Sequence, residues 1–334
     1  LVLFLKSFFQ PKPEPLIGLD IGAASLCWVE LAPAGRGWLR LERCATEALE
    51  PGCIVEGHIE RFDEVATALQ RLTLAAGSRH RRVALAMPFA QLQTRQHVFP
   101  LGLSQAELAR QVSAEVVRHS GRPVQEATFD YGALPQATGS GPDAGQTVWI
   151  ATAPIDKLQD RLGLAESIGL LPVIMDGEAQ ARARAARRLV QLRHAKDAGG
   201  MAANAVVVLV HVEAGQAVWQ WMQGNTVLHQ GQLATQDLHG VDALARTLLD
   251  DMWRADETPA LGRPELIMLA GAEAMTPGLA EAMKTAAACE CLLADPLQAM
   301  QLGDAATRTG LPPQTRASLM TACGLALRRF SPSC

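Results

Sequence analysis

At 334 residues the chain exceeds the roughly 100–200 residues of one domain and calls for two domains or lobes. Hydrophobic residues at 49% against charged residues at 19% supply a large core and exclude wholesale disorder. A net charge of −4 argues against a general nucleic-acid binder, which carries a strong basic excess. The opening LVLFLKSFFQ is apolar but interrupted by Lys6 and followed by Pro11, Pro13 and Pro15. It is too short to span a membrane and lacks the charge order of a signal peptide. It is expected to form a terminal helix packed on its own domain, with a partner or anchor face at Leu5, Phe8 and Phe9 as the alternative. Leu16–Leu31 (LIGLDIGAASLCWVEL) reads as a β-hairpin whose tip carries Asp20, Gly22 and Ser25. Trp38–Cys44 alternates apolar and polar residues and reads as a third antiparallel strand. Asp63 is the expected N-cap of a helix through Val65, Leu69 and Leu72 that Gly77 closes. Arg79–Arg82 reads as a solvated lead-in to the buried strand Val83–Met87.

From Pro88 to Ser167 the texture changes to a small α+β insert. Gln93–Phe99 reads as a strand, and Ser104 with Glu107 forms a capping box opening a helix through Leu108, Val112 and Val116. Glu126–Leu134 and Thr147–Ala153 read as strands joined by the Gly/Pro/Ser-rich TGSGPDAG, expected to be mobile. Ile155–Ile168 reads as a helix. Pro172–Met175 is a short strand leading to Asp176, and Glu178–Lys196 a helix bearing Arg182, Arg184, Arg187, Arg188 and Arg193. The arginines are expected on a solvated face, with a polyanion site as the other reading. Gly199–Asn204 is a linker. A second round follows: the buried strand Val206–Val212, the hairpin Ala217–Met222 with Thr226–Leu233, the amphipathic helix Asp242–Arg254, the strand Glu265–Leu269 and the helix Gly278–Ala288. A last helix spans Gln314–Phe330 after Pro312-Pro313. The order gives two similar α/β lobes with a subdomain set into the first.

Seven scattered cysteines with no Cys-x-x-Cys favour reduced thiols in a cytosolic protein over a disulfide frame or zinc site. There is no Gly-x4-Gly-Lys-Ser/Thr loop, no His-Glu-x-x-His and no Gly-x-Ser-x-Gly. His97, His119 and His194 are expected on the surface.

The Asp-x-Gly hairpin, followed by Pro51–Ile59, Leu85–Pro88, Phe129–Tyr131, Val148–Ala153, Gly169–Glu178 and the closing Gly324–Arg328 (GLALR), resembles the actin-like ATPase superfamily over nearly the whole chain. Within it the chain is most similar to the PilM family of type IV pilus assembly proteins, and more distantly to the division protein FtsA. The resemblance implies an α/β, actin-like (ribonuclease-H-like) two-lobed fold with an inserted α+β subdomain of the 1C type. It implies a first lobe at residues 1–88, 168–198 and 314–330, an insert at 89–167 and a second lobe at 199–313.

It also implies ATP and Mg²⁺ between two phosphate hairpins. Asp20 would hold Mg²⁺ through water, Gly22 would admit phosphate, Ser25 would donate to it, and Gly271 would lie against adenosine. Cys27 stands where a lysine is usual. The second hairpin reads His211-Val212-Glu213 where the family has Asp-Ile-Gly, and Ala272 replaces one glycine of a Gly-Gly pair. The expectation is therefore a retained fold with weakened or lost ATP hydrolysis. The implied role is a cytoplasmic scaffold. It would bind the N-terminal tail of an inner-membrane PilN-type protein in a groove formed by Leu85–Phe99 and the helix Ser104–Ser120. Pilus motor ATPases would be further partners, and membrane contact would come only through the partner. The alternatives are an active actin-like ATPase or small-molecule kinase, an FtsA-like division protein, or the cytoplasmic part of a secretion-system L-type protein.

Overall fold

The computed structural model describes residues 15–35, 38–120, 126–138, 145–196, 205–213, 215–224, 226–254, 263–307 and 311–330. The opening LVLFLKSFFQ segment, the centre of the TGSGPDAG loop and the Gly199–Asn204 linker lie outside them.

The first lobe begins with β1 (Ile17–Ile21), β2 (Ser25–Gly35) and β3 (Trp38–Ala48). A two-residue ribbon, β4 (Ile54–Val55) and β5 (His58–Ile59), leads to α1 (Phe62–Ala76) and β6 (Arg82–Met87). Asp63 does not cap α1: Arg61 is the cap position and bonds no first-turn amide with its side chain. Asp63 and Glu64 instead sit in the first turn, where a negative charge complements the exposed amides. Gly77 ends the helix in the left-handed region (φ 59°), as its sequence position suggested.

The insert contains β7 (Gln93–Pro100), α2 (Gln105–Ser120), β8 (Ala127–Thr138), β9 (Gly145–Pro154) and α3 (Ile155–Ser167). The expected capping box is present: Glu107 accepts from the Ser104 amide at 2.9 Å and its own N–H reaches Ser104 Oγ at 3.3 Å. The chain returns through β10 (Leu171–Gly177) and α4 (Glu178–Lys196). The second lobe follows as β11 (Val206–Glu213), β12 (Gln216–Gln223), β13 (Thr226–Ala234), α5 (Val241–Arg254), β14 (Leu266–Ala270), α6 (Leu279–Ala287) and β15 (Glu290–Leu293). After β16 (Gln301–Leu302) and α7 (Asp304–Thr307), the chain closes with α8 (Pro313–Ser318) and α9 (Met320–Leu327).

The two large sheets repeat one pattern. In the first the order is β10-β6-β1-β2-β3-β16, and in the second β13-β12-β11-β14-β15. Each is built on an antiparallel meander (β1-β2-β3, β11-β12-β13) whose first strand also pairs in parallel with the strand after the crossover helix. The sequence division ends the second lobe at residue 313, yet Gln301–Leu302 pairs in parallel with Arg40–Leu41 of the first sheet.

Helices α4 and α9 lie between the sheets. Residues of β2, β3, α4, α9, β11 and β14 share one core, including Val29, Leu41, Ala186, Leu209, Met268 and Ala326. Helices α1 and α3 cover the opposite side of the first sheet, and α5 and α6 that of the second. The middle layer is close because its residues are small. A Cβ on Gly324 would meet Ala181 O at 1.8 Å, and one on Gly18 would meet Ala322 O at 1.9 Å.

This placement overturns the solvated reading for Arg182 and Arg184, while Arg193 pairs on the exposed surface. Arg182 is buried, pairs with Glu178 at 3.0 Å and donates to Thr321 Oγ1 at 3.1 Å. Arg184 donates to Asp176 and to the Gly324 carbonyl, each at 2.8 Å. Arg188 reaches Pro296 O, and Arg193 pairs with Glu290. A helix enclosed from both sides must direct its cations to carboxylates and carbonyls of its neighbours.

The single closing helix of the sequence reading is also divided. The Ala317 carbonyl, which an unbroken helix would offer to residue 321, accepts from the Gly271 amide of the second lobe at 3.0 Å. Leu319 then turns with ψ 7° between α8 and α9.

Candidate functional site

Asp20, Gly22 and Ser25 of the first hairpin are the residues expected to meet phosphate and Mg²⁺. Asp20 lies across from Cys27 near the end of β1, and the turn closes with the Gly22 amide on Ser25 O at 3.1 Å. A Cβ on Gly22 would stand 3.0 Å from that same oxygen, so glycine keeps the turn tight. Asp20 is buried beside Glu178, Arg182, Glu213 and Arg161. Burial first, and then the repulsion of Glu178, push its carboxyl from 3.8 to about 7 against the opposing pull of Arg182.

The second hairpin faces the first across the lobe boundary. Ser25 Oγ donates to Glu213 Oε1 at 3.4 Å, and Glu213 Oε2 lies 3.0 Å from His211 Nε2. Burial lowers the His211 imidazole below its ordinary value, with the charge of Arg182 acting in the same direction. Near neutral pH it is therefore a neutral ring donating Nε2–H to the carboxylate. Burial raises the Glu213 carboxyl, but the hydrogen bond from His211, the charge of Arg182 and the hydrogen bond from Ser25 outweigh it and hold it below its ordinary value. Cys27 adds its thiol beside Ser25 Oγ at 3.7 Å and beside Ser318 O at 3.8 Å.

Gly271 sits at the end of β14 with φ 90°, where its amide binds Ala317 O. A Cβ there would come within 2.3 Å of Val212 O, so this glycine is required by the backbone of the second hairpin. Ala272 is exposed and outside the left-handed region, so the exchange of glycine for alanine there is tolerated.

Arg161 is a contribution from the insert that the sequence reading missed. It is buried, and it donates to Ile21 O and Gly57 O, each at 3.2 Å. Its signal was present in the sequence: with Leu158 and Ala165 it occupies the apolar stripe of α3, where a cation needs an internal partner.

As placed, these residues are a poor fit to a phosphate with Mg²⁺. Ser25 Oγ already donates to Glu213. A phosphate oxygen about 4 Å from the Glu213 carboxylate would be repelled by roughly 4 kcal/mol at an effective dielectric near 20.

Two cavities lie away from these residues. A groove of about 1450 Å³ runs between the first lobe, the insert and β13. Its wall includes Met87, Leu92, Trp149, Ala151 and Met175, with Arg184, Arg187 and Arg188 along α4. The strand alternation of β9 sets the lining: Trp149 and Ala151 turn to the groove, whereas Val148 and Ile150 pack beneath Val112 and Val116 of α2. Of the Leu85–Phe99 stretch, Met87, Leu92 and Thr94–Gln96 line the groove, whereas Leu85 and Phe99 are buried and α2 lies under the other face of the three-stranded sheet. With β7 it borders a separate cavity of about 440 Å³. There His97 and His119 both contact the buried Glu115, so these two histidines are partnered as well as partly exposed. Neither Asp20, Gly22, Ser25 nor Gly271 lines either cavity.

A family model described as type IV pilus assembly protein PilM matches residues 18–235 and 257–330. The chain belongs to the PilM family. It is an actin-like protein of type IV pilus assembly, as the order of its hairpin, insert and closing helix implied. Among solved structures, a chain of the PilM–PilN type IV pilus biogenesis complex is 21% identical, with 96% of this chain and 100% of that chain covered at a TM-score of 0.77. The ethanolamine utilization protein EutJ from Carboxydothermus hydrogenoformans is 13% identical, with 95% and 90% covered at a TM-score of 0.51. These likenesses establish the actin-like fold for this PilM-family chain. Among the described residues, no helix is long and apolar enough to cross a membrane.

Proposed function

We propose that this PilM-family protein is a cytoplasmic scaffold that holds the N-terminal tail of a PilN-type inner-membrane protein and does not turn over ATP. The observation that carries this reading is the groove of about 1450 Å³, set against a cleft in which Ser25 and Glu213 already touch. An extended segment fits a trough with an apolar wall at Trp149, Met87 and Met175 and a polar margin from α4. The solved PilM–PilN complex supports the choice of partner. Through that partner the protein would sit at the inner membrane and connect it to pilus motor ATPases.

Where ATP is concerned, the family's fold implies a nucleotide between the lobes, and Asp20, Gly22, Ser25 and Gly271 are its remaining marks. The contacts already made by Ser25 and Glu213 favour loss of hydrolysis over an active ATPase. The test is titration of a fluorescent peptide with the sequence of the partner's tail, alongside a phosphate-release assay with MgATP. Saturable peptide binding that weakens in Trp149→Ala, without phosphate release above buffer, is the expected result. Mg²⁺-dependent turnover abolished by Asp20→Ala, or a folded protein that ignores the peptide, would overturn the reading.

A further inference from the structure

The tips of the two hairpins form a small enclosed set of oxyanion donors. Ser25 offers a hydroxyl from the first lobe and His211 an Nε2–H from the second. Arg182 adds a buried guanidinium close enough to act on the same carboxylate. These are the groups that bind a free carboxylate or phosphate elsewhere in proteins. Here the anion they hold is a side chain of the chain itself. We infer that Glu213 is an internal ligand occupying an oxyanion site between the lobes, and that by doing so it clasps the two hairpins tip to tip.

Three observations support this beyond the contacts themselves. First, Glu213 reaches across 188 positions of sequence to Ser25, so the contact joins lobes and is not a local turn. Second, its neighbours balance without any added ion: Asp20, Glu178 and Glu213 face Arg161 and Arg182, with Asp20 only partly ionised. A further anion would upset that balance, and removal of the Glu213 carboxylate would leave room for one. Third, Ser25 and Glu213 belong to corresponding hairpins, each at the β-turn of its lobe's antiparallel meander. Opening the lobes at this edge must therefore part them. The inference concerns the lobe boundary and stands independently of tail binding in the groove.

The test is hydrogen–deuterium exchange of the full chain, read on peptides covering the two hairpin tips. Wild type should show protected tips that do not respond to inorganic phosphate or acetate. In Glu213→Gly both tips should exchange about tenfold faster, corresponding to about 1.4 kcal/mol of lost local stability, and phosphate or acetate should restore protection. Binding of the tail peptide should be unchanged. Glu213→Gln guards against a folding failure. It fills the same volume without charge, so its tips should exchange faster than wild type but gain nothing from either anion. Ser25→Ala should loosen both tips from the opposite side. Tips in Glu213→Gly that match wild type, or that loosen without any response to phosphate or acetate, would overturn the proposal. So would a Glu213→Gln protein indistinguishable from wild type.

Discussion

The cleft between the lobes and the groove beside the insert are walled in part by the same helix, yet they are opposites. In the cleft the side chains find one another: Ser25 meets Glu213, Arg182 meets Glu178, and Asp20 is buried among them. In the groove Trp149 and Met175 face open volume, and α4 presents Arg184, Arg187 and Arg188 along its margin. Under the proposed function the working surface lies in the groove, while the side chains of the cleft are engaged with one another. A site can be filled from within by a few substitutions while the frame that built it supports recognition elsewhere.

Five substitutions would break or sharpen this contrast. The largest effect is expected for Gly324→Val, which places a branched side chain where even a Cβ meets Ala181 O at 1.8 Å. It should cost about 4–5 kcal/mol or more and remove the cooperative thermal transition, taking cleft and groove together. Next, Arg184→Ala leaves Asp176 without its partner in a largely buried ion pair. A loss of about 3–5 kcal/mol is expected in urea denaturation, with weaker tail binding because the same arginine borders the groove.

Asp20→Asn isolates the cleft. The native carboxyl titrates at about 7 and the unfolded one near 3.8, so between these values the folded state holds a proton that the unfolded state has lost. The contribution of Asp20 to stability is then fully present below the lower value, declines as pH rises through the window, and is gone above it. Replacing it should flatten the decline and raise the unfolding free energy at pH 8 by an amount on the order of a few kcal/mol, seen as a higher melting temperature. A slope unchanged in Asp20→Asn would refute the buried charge cluster as its source. Trp149→Ala isolates the groove: tail-peptide affinity should fall about tenfold, with exchange at the hairpin tips unaltered. The smallest effect is Ser104→Ala. It removes the capping hydroxyl of α2, and only the first-turn amides of that helix should exchange faster, with neither region disturbed.

Much of the frame was legible because it is written in short-range patterns. Alternation located β3, a β-branched run located β11, the stop at Pro88 bounded β6, and the Ser104–Glu107 spacing located α2. The repeat of the two sheets followed from the order of these elements. What escaped was set by long-range contact. Periodicity alone could not show that α4 would be enclosed, because its buried surface consists of alanines interleaved with the arginines. The break at Leu319 depends on an acceptor taken by Gly271, some fifty residues earlier in the chain. At the site, Glu213 stood out as an acidic residue in a glycine position, but its bond to Ser25 required both lobes. The side of the insert that borders the groove depended on which face of β9 α2 would cover, and the alternation of Val148, Trp149 and Ile150 contained that answer once α2 was placed.

Arg161 has a consequence for anyone who would treat the insert as an interchangeable module. Its guanidinium leaves α3 and ends on two main-chain carbonyls of the lobe, Ile21 and Gly57. Excision of residues 89–167 would remove the donor to both oxygens, and a transplanted insert from another protein would need a cation at the same station. A graft that joins the strands cleanly but lacks this arginine should fit by length and fail by polarity. The transferable unit is therefore the insert together with the turn after β1 and the glycine turn between β4 and β5.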